Sequence, residues 1–266
     1  MSILPRAWEA TTGVTMTETS IDVADGRIPA RIFHPEGGTG AGIVLVQEIF
    51  GVSNYLLQRA ADLADKGWTV LVPNLYWRIG GDVLQGDEPD AMPHAMDLLG
   101  RNPWDETVAD IRACVAALRD RPEVGGGTEA GGRVALLGFC YGGGLAYAAC
   151  SDVEGASRAD ALVSYYGSAL PDLVNSIPVV QVPSLHHFGE ADEYVPFATV
   201  QQIHQVVTQG ADVEFSSWPG AGHAFDNPLP IFHHAQASED AWRETYVWLL
   251  EHHPDEIDRV PASRTL

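Results

Sequence analysis

The stretch Arg133-Val134-Ala135-Leu136-Leu137-Gly138-Phe139-Cys140-Tyr141-Gly142-Gly143-Gly144-Leu145-Ala146-Tyr147-Ala148-Ala149 decides the fold. An apolar run of strand type enters a glycine-rich turn and leaves as an apolar helix, so Cys140 stands between a strand end and a helix start. The glycines are a steric requirement, because side chains beside the central residue would collide with the strand or the helix. Such a turn lifts the sulfur out of the sheet. It also sets it at a helix N-terminus, where unpaired backbone N–H groups and the macrodipole favour negative charge on a thiolate and then on an oxyanion. The pattern is a nucleophile elbow with cysteine where serine is usual. Cys114 and Cys150, inside apolar helical patterns, read as packed, inert thiols.

Outward from the elbow, apolar runs alternate with amphipathic segments. Residues from about Val14 to Pro35 alternate around Asp25-Gly26 and predict an antiparallel hairpin at a sheet edge. Gly42 to Val46 reads as a buried strand, Ser53 to Lys66 as a helix stopped by Gly67, and Thr69 to Pro73 as the next strand. A long loop from Trp77 to Pro103 precedes a helix from about Glu106 to Arg119. Beyond the elbow come strands at Ala161 to Tyr165, Ser184 to Phe188 and Val213 to Trp218, with helices at Phe197 to Gln209 and Ala235 to His252. This alternation predicts an α/β domain with a mostly parallel sheet covered on both faces. One domain is expected over residues 1–266, its core at about 14–252 and a surface tail at 254–266, with a flexible turn at Gly125-Gly126-Gly127 and Gly131-Gly132.

With 266 residues, 45% of them hydrophobic, the chain has enough apolar material for a sizeable core. A formal net charge of −21 argues against nucleic acid and against acidic membranes, since phosphate binding needs a basic surface. An anionic substrate would need a local arginine to overcome that field. Three cysteines without disulfide-like spacing, an N-terminus lacking a secretory apolar core and the lack of any bilayer-spanning run predict a cytoplasmic protein. It is expected to be a monomer or small homo-oligomer.

A cysteine nucleophile needs a base within hydrogen-bond reach and a third group to orient that base, in the chain order nucleophile, acid, histidine for this architecture. Downstream, His187-Phe188-Gly189-Glu190-Ala191-Asp192-Glu193-Tyr194-Val195-Pro196 puts acids just past a strand end, and Trp218-Pro219-Gly220-Ala221-Gly222-His223-Ala224-Phe225 puts a histidine on a glycine-rich loop. Both lie where ligands gather in an open parallel sheet. His223 is the candidate base. Asp192 is the candidate acid, with Glu190 and Glu193 competing by reach. The pairs His186-His187, His233-His234 and His252-His253 do not present two histidines on one face, so no metal is predicted. After the first buried strand, Gln47-Glu48-Ile49-Phe50-Gly51 supplies the loop from which one oxyanion donor comes, making the amides of Ile49 and Tyr141 the candidate oxyanion hole. Glu48 beside a thiol opposes thiolate formation, because like charges held close raise one another's pKa.

Gln47-Glu48-Ile49-Phe50-Gly51, Pro73-Asn74-Leu75-Tyr76, Gly138-Phe139-Cys140-Tyr141-Gly142-Gly143, Tyr165-Tyr166-Gly167, Phe188-Gly189-Glu190-Ala191-Asp192 and Gly220-Ala221-Gly222-His223-Ala224-Phe225, in this order, resemble the dienelactone hydrolases. The resemblance implies an α/β-hydrolase without cofactor that opens an unsaturated lactone through an acyl-enzyme, turning a carboxymethylenebutenolide from catechol ring cleavage into maleylacetate. It selects Asp192 as the acid. It further implies that Glu48 takes the Cys140 proton when substrate arrives, that Arg78 holds a substrate carboxylate, and that Tyr166 lies in the substrate-binding region. The resemblance implies a second arginine four residues after the histidine, binding the substrate carboxylate and partnering the glutamate; at that position this chain has Asn227. An asparagine there donates a hydrogen bond but no charge, which weakens anion binding by about 1.5–3 kcal/mol. The rival readings are a general carboxylesterase or thioesterase on the same scaffold, a thiol redox sensor, and a ligand-binding module that lost catalysis.

Overall fold

The computed structural model describes residues 13–37, 40–81, 84–125, 132–210 and 212–253. The glycine turn beyond Gly125 and the segment from residue 254 lie outside them. Strands β1 (Thr15–Val23), β2 (Gly26–His34), β3 (Gly42–Val46), β4 (Thr69–Pro73), β5 (Val134–Phe139), β6 (Ala161–Tyr165), β7 (Ser184–Gly189) and β8 (Val213–Trp218) form one sheet in the order β1-β2-β4-β3-β5-β6-β7-β8. β1 and β2 pair antiparallel, as do β2 and β4; all later neighbours are parallel. Strands β3 to β7 are buried along their whole length, as continuous apolar runs covered on both faces must be.

Helices α1 (Asn54–Asp65), α2 (Ala91–Arg101), α3 (Trp104–Arg119), α4 (Tyr141–Cys150), α5 (Leu170–Leu173), α6 (Phe197–Val207) and α7 (Ala235–His252) cover the two faces. α1 starts where Ser53 Oγ accepts the Leu56 amide, and its stripe of Leu56, Leu57, Ala60, Leu63 and Ala64 is buried. Each leucine so buried contributes about 1.5–3 kcal/mol. α4, which follows the elbow, is buried at every residue, so its direction is fixed by packing on all sides.

The sequence reading is corrected in two places. Part of the expected loop from Trp77 to Pro103 is helix α2, whose buried Ala91, Ala95 and Leu98 fall at helical spacing. Pro93 does not prevent it, because it stands in the first turn, where amides have no intrahelical partner. The β1–β2 turn is Ala24-Asp25, and Gly26 already belongs to β2. A Cβ on Gly26 would stand 2.7 Å from the Trp77 ring, so this glycine lets the hairpin dock on the segment after β4.

Candidate active site

Cys140 sits at φ 52° and ψ −115°, in a region that L-residues avoid. Its amide donates to Tyr165 O of β6, and its carbonyl accepts from the Gly143 and Ser168 amides, so neighbouring segments hold the strained geometry. The glycines have measurable reasons. A Cβ on Gly138 would lie 2.2 Å from Gly142 O, and one on Gly142 would lie 2.4 Å from Gln47 O. The second contact sets the start of α4 against the end of β3, which brings Tyr141 beside the Glu48-Ile49 loop.

His223 and Asp192 converge on the sulfur. His223 Nε2 is 3.1 Å from Cys140 Sγ, and Nδ1 is 2.7 Å from Asp192 Oδ2. The other Asp192 oxygen accepts the amides of Tyr194 and Val195 at 2.8 and 2.9 Å, which fixes the carboxylate and keeps it aimed at the imidazole. Burial opposes the charged form of His223, yet the adjacent Cys140 sulfur and the Asp192 carboxylate outweigh it and raise its pKa to about 10. Glu190 bonds instead to Ser217 Oγ, and Glu193 makes no bond to His223. Ser168 Oγ stands 3.8 Å from Sγ, a neighbour that sequence reading missed because it lies past the next strand.

The loop after β3 is held by the segment after β4. Gln47 Oε1 accepts the Leu75 amide at 3.0 Å, and Tyr76 Oη donates to Ile49 O at 2.9 Å. Neither the Ile49 nor the Tyr141 amide has a hydrogen-bond partner in the described structure. Two unpartnered amides, one on the loop after β3 and one at the start of α4, are donors of the kind an oxyanion requires.

Glu48 is buried, and Asn227 Nδ2 donates to its Oε1 at 2.9 Å. Its carboxyl makes no hydrogen bond to Cys140; the group in contact with the sulfur is His223. The expectation that Glu48 takes the thiol proton applies to the substrate-bound state; in this structure Asn227 holds the carboxyl. Burial raises the Glu48 pKa to about 7, and the Asn227 bond restrains that rise.

Arg78 also departs from expectation. Its guanidinium pairs with Asp25 of the hairpin turn and with Asp110 of α3 at 2.6 Å, so both carboxylates occupy the group expected to hold substrate. Tyr166 is fully buried, its ring centroid 5.4 Å from that of His223 and its hydroxyl 3.4 Å from Tyr55 Oη. It supports the imidazole from below instead of presenting a surface to substrate.

Sequence reading missed Asp226, which is fully buried and accepts bonds from Tyr55 and Arg59 of α1 and from Ser238 and Trp242 of α7 at 2.6–3.0 Å. This carboxylate ties the His223 loop to two helices. A signal was present, since an acid enclosed by Ala224, Phe225 and Pro228 sits in apolar surroundings that demand a cation.

Among the described residues no group of three or more His, Cys, Asp or Glu side chains is arranged to hold a metal ion, and no helix is long and apolar enough to cross a membrane. A strained cysteine turn between a parallel strand and a helix, with acid and histidine following in chain order at the same sheet edge, defines an α/β-hydrolase. The dienelactone hydrolase family model matches residues 28–253, and the chain belongs to that family. It is a hydrolase of the class that acts on esters and lactones. The carboxymethylenebutenolidase of Pseudomonas sp. strain P51 is 32% identical over 77% of this chain and 83% of its own length. Carboxymethylenebutenolidase 1 of Cupriavidus pinatubonensis is 28% identical over 80% and 85%. A dienelactone hydrolase-like promiscuous phosphotriesterase from metagenomic libraries shares the fold with a TM-score of 0.71 at 24% identity, covering 90% of this chain and 99% of that one.

Proposed function

We propose that the protein hydrolyses carboxylic esters or lactones through a thioester on Cys140. The observation that carries this reading is the unbroken line from Asp192 to His223 to Cys140, at 2.7 and 3.1 Å, on an elbow whose helix start offers free amides. His223, held in its charged form beside the sulfur, already carries the proton given up by Cys140 as sulfur attacks the carbonyl carbon. The Ile49 and Tyr141 amides stabilise the oxyanion, at about 3–4 kcal/mol per donor in comparable sites. When the C–O bond breaks, His223 returns the proton to the leaving oxygen. It then draws a proton from water, which attacks the thioester, releases the acid and restores the thiol.

Two substrate classes fit this chemistry. The relatives' activity suggests a carboxymethylenebutenolide, an unsaturated lactone bearing a carboxylate, and the family resemblance gives it a place in aromatic-compound degradation. The surroundings of the sulfur favour a neutral ester or lactone, because Arg78 is neutralised by Asp25 and Asp110, Arg59 by Asp226, and Asn227 stands where the family carries an arginine. The free thiols of Cys114, Cys140 and Cys150 suit a reducing compartment such as the cytoplasm. A pure thiol sensor has no need of an oriented imidazole on its sulfur.

The test measures hydrolysis by wild type and Cys140→Ala, with kcat/KM compared between a carboxylated dienelactone and a neutral aryl ester. Loss of turnover in Cys140→Ala and preference for the neutral ester are expected. Undiminished turnover in that variant ends the proposal.

A further inference from the structure

The Ile49 amide owes its direction to its neighbours in the loop. The Glu48 carbonyl accepts the Gly51 amide at 3.2 Å, closing a turn over residues 48–51. A trans peptide points its N–H away from its C=O, so a fixed Glu48 carbonyl fixes where the Ile49 N–H aims. The next carbonyl, that of Ile49, accepts Tyr76 Oη at 2.9 Å, while upstream Gln47 Oε1 accepts the Leu75 amide at 3.0 Å. The peptide that carries the donor is therefore tied on both sides to the segment after β4.

Tyr76 is itself held firmly. Its ring is fully buried, its amide donates to Asn74 Oδ1 at 3.0 Å, and its carbonyl accepts the amides of Ile79 and Gly81 at 3.2 and 3.1 Å. A Cβ on Gly81 would stand 2.8 Å from Tyr76 Cβ, so the glycine permits this close approach. The next two residues are anchored to α3, where Asp110 accepts Trp77 Nε1 at 2.8 Å and the Arg78 guanidinium at 2.6 Å. Burial, with Tyr141, Cys140 and Glu48 nearby, presses the Tyr76 phenol well above its usual range, so it remains a donor at any working pH.

We infer that Tyr76 is a positioning residue for the oxyanion hole: its hydroxyl, acting through the Ile49 carbonyl, keeps the Ile49 amide aimed at the oxygen that gains charge. The inference rests on the proposed Cys140 hydrolysis and its Ile49 donor, and adds the group that orients that donor. A phenylalanine fills the same space without the tie. Donors of this kind must meet the oxyanion of the tetrahedral intermediate and not the carbonyl oxygen of the ground state. Losing their alignment therefore lowers kcat and leaves KM in place. On this reading Arg78 serves catalysis at a distance, as part of the anchor of the Tyr76 segment on α3.

The experiment measures phenyl acetate hydrolysis by wild type and Tyr76→Phe, together with inhibition by two ketones of one skeleton. In 1,1,1-trifluoro-4-phenylbutan-2-one the carbonyl carbon accepts the Cys140 sulfur and the oxygen takes the electron pair, so its Ki reads the oxyanion hole. In 4-phenylbutan-2-one no such addition accumulates, so its Ki reads ground-state binding. Tyr76→Phe is expected to lower kcat and to raise the trifluoroketone Ki by the same factor, about ten- to thirtyfold, with KM and the plain-ketone Ki within about twofold. An unchanged kcat overturns the inference. So does an equal weakening of both ketones, or a loss carried by KM, since either means that the tyrosine only shapes the pocket. Gln47→Met, which releases the other tie, is the second reading and decides if Tyr76→Phe does not fold: a fall in kcat of about threefold or more at constant KM supports the inference, and an unchanged kcat overturns it. Failure of the underlying hydrolysis looks different: wild type then leaves phenyl acetate intact, or Cys140→Ala hydrolyses it and binds the trifluoroketone as tightly.

Discussion

Asn227 donates its side-chain amide to Glu48 Oε1 at 2.9 Å, joining a residue of the first buried loop to one far along the chain. The bond favours the ionised carboxylate that burial disfavours. Asn227→Ala is therefore expected to move the Glu48 titration above about 7, by about one to two pH units if the lost bond contributes about 1.5–3 kcal/mol. Carbon-detected NMR of labelled glutamate checks this. Asn227→Arg should act in the opposite direction on Glu48 and raise kcat/KM for a carboxylated lactone by about ten- to a hundredfold.

Glu48 also makes the fold sensitive to pH. Its carboxyl ionises near 4.5 when exposed, while burial holds it protonated to about 7 in the native state. Between those values the folded chain binds more protons than the unfolded one, so this contribution is full below about 4.5 and is lost as pH rises through about 7. Its size is about 3 kcal/mol. Glu48→Gln keeps an acceptor for Asn227 and removes the charge. Urea midpoints should be higher for the variant at pH 8 and converge with wild type near pH 4; parallel curves would contradict the assignment.

The Asp192 carboxylate is one of the groups that hold His223 in its charged form against burial. Asp192→Asn should lower the imidazole pKa below about 10, observable by nitrogen NMR of the ring. It should also reduce kcat by about 10²–10⁴-fold, because the amide cannot stabilise an imidazolium or fix its tautomer in the same way. A variant with normal kcat would mean that the proton travels by another route.

Buried Asp226 and partly buried Arg59 form a pair whose members cannot be removed singly without cost. Asp226→Ala removes the acceptor of Tyr55, Ser238 and Trp242 and leaves Arg59 only Asp62, and should lower stability by about 3–5 kcal/mol. Adding Arg59→Met to Asp226→Ala should recover part of that loss, giving a coupling in a double-mutant cycle by urea unfolding. Strict additivity would show that the pair carries no shared energy.

The strands were legible because burial on two faces demands runs such as Thr69–Pro73, Val134–Phe139 and Ala161–Tyr165. The elbow and the order Cys140, Asp192, His223 were legible because turn chemistry and a fixed topology constrain residue types locally. What stayed hidden depends on distant partners. Nothing around Arg78 announces Asp25 or Asp110, whereas the family resemblance sets Asn227 at the position that partners the glutamate, and its bond to Glu48 lies there. Helix α2 was obscured by Pro93 and Gly100, whose breaking tendencies are overruled by burial of Ala91, Ala95 and Leu98.

Cys140, Tyr166 and Ala224 adopt left-handed φ values of 52°, 38° and 55° on separate segments that meet at one rim. Each conformation costs about 1–3 kcal/mol and persists only while its surroundings impose it. Slight loosening of that rim gives all three a downhill route, whereas the sheet beneath stores no such tension. Inactivation should therefore run ahead of melting: rising denaturant silences turnover while circular dichroism still registers an intact sheet.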